Sequence, residues 1–276
     1  MTDSSAPAPG IDTRRPHQAR IWNHWLGGKD NYPVDRDVGD RIMRVFPEIA
    51  DIARHSRALL VRVVRFLAEE QGVRQFLDVG TGMPGLDNTH EVAQRVAPGA
   101  RVVYVDNDPL VVAHARALLT GLPAGSCDYL EADVRDPGDI IERAAATLDF
   151  SQPIALLLLG IIGNVPDEDD PVAIVRTLTS RLPSGSFVVV NDGTNVLGVT
   201  DDTPADATAR AEALRLCADA GSVPYHARTP GFIAACLEGL ELLEPGVVST
   251  PLWRPDFPEI DEIEPLDSFG GVARKP

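Results

Sequence analysis

The 276-residue chain carries 41 acids against 25 bases, a formal charge of −16 that opposes binding to phosphate backbones and anionic membrane surfaces. Its 44% apolar content suits one large α/β domain with an extension, or two small domains. The longest apolar run, Ile154 to Ile162, is too short to cross a bilayer, no early apolar run has the form of a signal peptide, and three scattered cysteines (Cys127, Cys217, Cys236) read as reduced core thiols of a cytoplasmic protein.

Residues 1–15 mix Ser, Ala, Pro, Gly and Asp without periodicity and are expected to form a disordered tail. Residues 16–72 read as an N-terminal helical cover. A short amphipathic helix holds Trp22, His24 and Trp25 and ends at Gly27-Gly28, followed by Lys29-Asp30-Asn31-Tyr32. This segment is either a lid or a helix anchored to the core by its tryptophans. Gly27-Gly28-Lys29 is not a phosphate-binding P-loop, because Asn23 and Asp30 stand where that motif needs glycine and a hydroxyl residue. Further helices are predicted from Val34 to Phe46 and from Pro47 to about Gln71, the second with Arg54, Arg57, Arg62 and Arg65 on a solvated face.

Residues 73–276 then alternate strand and helix. Gln75–Val79 is a strand that runs into Gly80-Thr81-Gly82-Met83-Pro84-Gly85, and Asn88 with Glu91 forms a capping signal for a helix from Thr89. Strands follow at Arg101–Val105, Cys127–Leu130, Ile154–Leu159 and Phe187–Val190, each leading to a helix, with Asp167 to Asp170 read as the acidic start of the helix at Pro171. Helices at Ala205–Ala220 and Pro230–Glu238 and last strands at Leu242–Thr250 and Phe269–Ala273 complete the pattern. Repeated βα units imply a parallel sheet covered on both faces, with its site beyond the carboxyl ends of the strands.

The spacing G-x-G-x-x-G permits two ligands, a dinucleotide pyrophosphate or S-adenosylmethionine. Asp78 stands two residues before Gly80, where a carboxylate suits a ligand ammonium, or else holds the turn through backbone N–H groups. Asp106, with Asn107 beside it, ends the second strand and suits a ribose diol in either cofactor. Asp133 and Val134 end the third and suit an adenine amino group and ring. Acids at all three strand ends are unfavourable for a diphosphate and tip the reading to S-adenosylmethionine, with Thr81 and Gly82 in the loop and Gly160 near the transferred methyl. His24, Asp30, His90 and Asp192 are the candidate bases, and Tyr32 and Asn164 are placed to orient an acceptor or touch the cofactor. No His or Cys pair has metal-ligand spacing.

The ordered series FLDVGTG, YVDNDP, EADV, LLLLGIIGN and FVVVND resembles the motifs of class I S-adenosylmethionine-dependent methyltransferases across roughly Gln75 to Asp192. IWNHWLGGKDNYPVDRD, GTGMPGLDNTHE, VPDEDDP, PLWRPD and GGVARKP resemble one family of small predicted methyltransferases, over nearly the whole chain. The resemblance implies a Rossmann-like, mainly parallel sheet with an antiparallel last strand, bound S-adenosylmethionine, and an N-terminal helical cover. It gives no acceptor; a small molecule is expected, with neither nucleic acid nor membrane as partner. The chain departs from that family at Gly163-Asn164, where a histidine often stands.

Overall fold

The β-branched and leucine-rich runs of residues 75–193 become five parallel strands: β1 (Gln75–Val79), β2 (Arg101–Asp106), β3 (Cys127–Glu131), β4 (Ala155–Leu159) and β5 (Phe187–Gly193). They belong to a computed structural model that describes residues 12–118, 127–199, 204–222, 224–256 and 263–276. Most of the expected N-terminal tail therefore lies outside the described residues. The sheet order is β3-β2-β1-β4-β5-β8-β6, where β6 (Glu241–Leu242) and β8 (Ser268–Arg274) are antiparallel additions and β7 (Val248–Ser249) pairs with β8. The single strand expected over Leu242–Thr250 is thus two short ones, parted where Pro245 has no N–H to give and Gly246 turns the chain at φ 91°.

Alternation along the strands sends side chains to two apolar layers. Phe76, Val102, Tyr104, Leu157 and Val189 face one layer with α3 (Ile49–Glu69), α4 (Thr89–Val96) and α5 (Pro109–Leu118). Leu77, Val103, Leu156, Leu158 and Val190 face the other, with α6 (Pro137–Ala144), α7 (Pro171–Ser180) and α9 (Pro230–Cys236). A third cluster joins α1 (Gln18–Trp25), α2 (Pro33–Val45), the first turns of α3 and α8 (Ala209–Asp219) through Ile21, Trp25, Ile42, Ile52, Ala213 and Cys217. The cover therefore draws on both ends of the chain, and most of α3 packs on the sheet.

Two local expectations are corrected. Arg62 is buried and donates to the carbonyls of Trp253 (3.0 Å) and Thr250 (2.9 Å), while Arg57 donates to Leu86 O (2.7 Å) and Asn88 Oδ1 (3.1 Å), so these two arginines tie α3 to distant loops instead of facing water. Of the acids before α7, Asp170 caps the helix at Ala173 N (3.1 Å), whereas Asp167 pairs with the buried Arg228.

Candidate active site

A cavity of about 640 Å³ opens above the carboxyl ends of β1, β2, β4 and β5, roofed by α1, the α2–α3 turn and α8. Asp78, Gly80, Thr81, Gly82, Asp106, Asn107, Asp133, Val134, Gly160 and Asn164 all line it. Strand ends separated by dozens of residues in sequence are brought together there because parallel strands deliver all their carboxyl ends to one edge.

The glycine loop is held from β2. The backbone N–H of Gly82 donates to Asp106 Oδ2 at 2.8 Å, and Asp108 N donates to Asp106 Oδ1 at 2.9 Å. Gly80 takes φ 77°, and a Cβ there would meet Ile161 Cβ at 2.5 Å; Gly82 takes φ 67° with nothing within 4 Å of its Cβ position. The first glycine is thus required by packing against the loop after β4, and the second leaves open space on the cavity wall.

Asp78 is buried and accepts the Thr89 hydroxyl at 2.6 Å; burial, reinforced by Asp106 and opposed by Thr89 and Arg57, pushes its carboxyl up to about 6. Burial likewise raises Asp106, against the backbone N–H groups of Asp108 and Gly82. Asp133 is held below the usual carboxylate range by the fork of Arg135, at 2.6 and 3.0 Å. Asp108 is lowered too: burial opposes this, but the His17 ring at 2.9 Å, Leu110 N–H and Arg20 outweigh it. The His17–Asp108 pair pins the start of α1 beside the end of β2.

Beyond β4, the chain from Gly160 to Val165 curls into a short 3-10 turn whose Ile162 and Gly163 N–H groups both donate to Asp192, at 3.1 Å. Asp192 also accepts the Tyr225 hydroxyl at 2.5 Å, and burial pushes it up to about 6. A Cβ at Gly163 would lie 2.4 Å from the Tyr225 ring, so Tyr225 occupies the space that a histidine at that position would need. Asn164 donates to Gly160 O at 3.2 Å, and its buried Oδ1 meets no donor among the described residues.

Five sequence-selected residues are not part of the cavity lining, among them His90, which is buried with its ring 2.7 Å from the Tyr104 hydroxyl. His24 bonds Asp40 at 2.8 Å where α1 crosses α2 at Gly39, and Asp30 is half exposed, 3.9 Å from His114. Tyr32 starts α2, with Arg20 over its ring at 5.5 Å, and Asp192 lies behind Tyr225 with its oxygens engaged as above. Trp22 and Trp25 both line the cavity and stack edge to face at 5.7 Å, and Trp25 anchors α1 by donating to Gly39 O at 3.2 Å. Sequence reasoning missed His17, Arg57, Arg210, Tyr225 and His226 in the lining.

A family model described as S-adenosyl methyltransferase matches residues 4–276. The chain belongs to the S-adenosyl methyltransferase family. The structure of a DUF574 family protein from Streptomyces avermitilis is 42% identical, with a TM-score of 0.88 over 96% of this chain and 99% of that one. A candidate methyltransferase from Thermobifida fusca is 38% identical, with a TM-score of 0.87 over 99% of each chain. No curated protein matches the chain.

This methyltransferase has the class I fold and uses S-adenosylmethionine. Its residues are chemically compatible with that cofactor: buried carboxylates at 78 and 106 could meet an ammonium and a diol, each Asp106 oxygen retains acceptor capacity, and the space beside Gly82 is open. Among the described residues of the methyltransferase no helix is long and apolar enough to cross a membrane, and no three His, Cys, Asp or Glu side chains are grouped to hold a metal.

Proposed function

We propose that this chain transfers a methyl group from S-adenosylmethionine to a small-molecule acceptor bound in the same cavity. The observation that carries the reading is the continuity of one cavity from the acids of β1, β2 and β3 to the aromatic and apolar walls beyond β5. In this reading Asp78 takes the cofactor's amino end, Asp106 with Asn107 its ribose, and Asp133 with Val134 its adenine. Thr81 and the glycines at 80, 82 and 160 let backbone approach it. S-adenosylmethionine, when bound, supplies a methyl carbon already activated by its sulfonium.

The protein's own work is then to align the acceptor and exclude water, and alignment alone can supply about 7–11 kcal/mol. Trp22, Trp25 and the α2–α3 turn close the space from above. Asn164, with an unmet acceptor oxygen, is proposed to orient the acceptor. Where the acceptor carries a proton, His226 on the cavity wall is better placed to take it than His24, Asp30 or Asp192, which do not line the cavity. A cytoplasmic location goes with this reading, supported by Cys217 and Cys236 lying as buried thiols.

The test is incubation of the protein with methyl-labelled S-adenosylmethionine and fractionated small-molecule extract. Label appearing in a low-mass product is the expected result. Tight binding of S-adenosylhomocysteine without transfer to any fraction would leave a cofactor-binding protein that is not a small-molecule methyltransferase.

A further inference from the structure

Arg210 lies on α8 with 6% of its surface exposed, yet it lines the cavity. Its Nε and Nη1 are buried and meet no acceptor among the described residues. Nearby carboxylates do not fill that need. Asp192 is engaged by Tyr225, Ile162 and Gly163, and Asp267 Oδ1 accepts from Thr194 Oγ1, Val196 N and Leu197 N. Both moderate the charge of Arg210 at a distance, without hydrogen-bonding it. Guanidinium stays protonated even when buried, so a cation with unmet donors stands on the cavity wall.

The surroundings define what that is. Arg210 sits over the Phe46 ring at 5.4 Å and the Tyr225 ring at 6.0 Å, with Trp25, Ile49, Ile52 and Ala213 continuing an apolar wall. Its guanidinium abuts the Gly193 backbone, where an added Cβ would meet Nη2 at 1.9 Å. Gly193 ends β5, two strands from β1, or about 10 Å across the sheet from the glycine loop. Arg210 therefore stands on the acceptor side of the cavity.

We propose that Arg210 binds the acceptor through a carboxylate, with the acceptor's apolar or aromatic body against Phe46 and the α2–α3 wall. A fixed positive charge with unmet N–H donors suits a carboxylate, and Arg, which stays protonated, is the residue that keeps that charge away from water. A phosphate dianion fits less well: no lysine lines the cavity, and the chain's charge of −16 opposes a second negative charge. The proposal rests on the methyltransferase reading, since it assigns the half of the cavity left for the acceptor.

The test uses the full chain saturated with S-adenosylhomocysteine, titrated calorimetrically with three acid and amide pairs: benzoate and benzamide, indole-3-acetate and indole-3-acetamide, octanoate and octanamide. At least one acid should bind about 10-fold or more tighter than its amide, the scale of a lost charge-assisted hydrogen bond. In Arg210→Met that preference should vanish while S-adenosylhomocysteine affinity stays within about twofold, and Arg210→Lys should keep part of it.

The proposal is overturned if no acid is preferred by the wild type, if Arg210→Met retains the preference, or if phenyl phosphate binds better than every acid. It is also overturned if Arg210→Met loses S-adenosylhomocysteine, because Arg210 would then serve the cofactor. Should Arg210→Met fail to fold, the wild-type and Arg210→Lys preferences decide the matter. Failure of the wild type to bind S-adenosylhomocysteine is the separate outcome that removes the underlying reading.

Discussion

The carboxylate of Asp106, at the end of β2, accepts the backbone N–H of Gly82 at 2.8 Å, so a strand end and the glycine loop form one unit. Whatever binds against Asp106 also feels the position of that loop. Replacing Asp106 by Ala removes both the proposed ribose acceptor and the tether. Loss of charge-assisted hydrogen bonds worth about 1.5–3 kcal/mol predicts a 10- to 100-fold weaker affinity for S-adenosylhomocysteine. Isothermal titration of the variant checks this, and an unchanged dissociation constant would contradict the ribose role.

Cofactor affinity should depend on pH through Asp78. Burial lifts its carboxyl to about 6 in the free protein, and a bound ammonium favours the charged form. Binding is therefore strongest above pH 6 and weakens as pH falls, by up to about tenfold per unit once Asp78 is protonated. Titrations of S-adenosylhomocysteine between pH 5 and 8 should show this slope in the wild type. Asp78→Asn should bind more weakly at pH 8 and lose the part of the slope that Asp78 supplies; an identical profile in both proteins would contradict the assignment.

The elements that sequence revealed are those whose causes are local. The Asn88 and Glu91 capping box starts α4 where the spacing predicts it, the apolar runs become β1 to β5, and the acids at or just beyond the ends of β1, β2 and β3 line the cavity. Long-range packing was not legible. Arg62 lies among apolar residues on a helix with no local sign that its partners are carbonyls 188 and 191 residues further on. Arg210 and Tyr225 reach the cavity only because α8 and the segment after it fold back onto α2 and the end of β5, an approach that periodicity does not encode. The glycine at 163 has the same long-range cause, since the Tyr225 ring stands where its Cβ would be.

The two glycines of the loop should fail in different ways when replaced by Ala. At Gly80 the left-handed backbone costs about 1–2 kcal/mol, and overlap with Ile161 adds about 1–3 kcal/mol, because the new Cβ would sit 2.5 Å from Ile161 Cβ. At Gly82 only the first cost applies, since nothing lies within 4 Å of the Cβ position. Gly80→Ala should therefore lower Tm the more, by roughly 5 °C or above at about 2–4 °C per kcal/mol. Gly82→Ala should show its larger effect in S-adenosylhomocysteine affinity, because its methyl occupies the cavity wall. Scanning calorimetry with and without ligand separates the two, and equal Tm losses would contradict the packing argument.

Tyr225→Phe should destabilise the protein in a pH-dependent way. The hydroxyl donates to Asp192 at 2.5 Å and accepts the Gly193 N–H at 2.8 Å, so its removal leaves a buried carboxylate with fewer donors and a backbone N–H without its partner. Burial already lifts the folded-state value of Asp192 to about 6, above the unfolded value of about 3.9. A group raised on folding favours the folded state below its unfolded value, and that contribution is lost as pH rises through the folded value. Losing the Tyr225 donor raises the folded value further. The variant's penalty is then smaller at pH 5, where Asp192 is mostly protonated in both proteins, and larger at pH 7.5, where the wild type must ionise it. About 1 kcal/mol is expected at pH 5 for the Gly193 N–H, and about 2–4 kcal/mol at pH 7.5 once the charged hydrogen bond is included. Urea denaturation at the two pH values measures both penalties, and a cost independent of pH would show that Asp192 does not depend on Tyr225 to carry its charge.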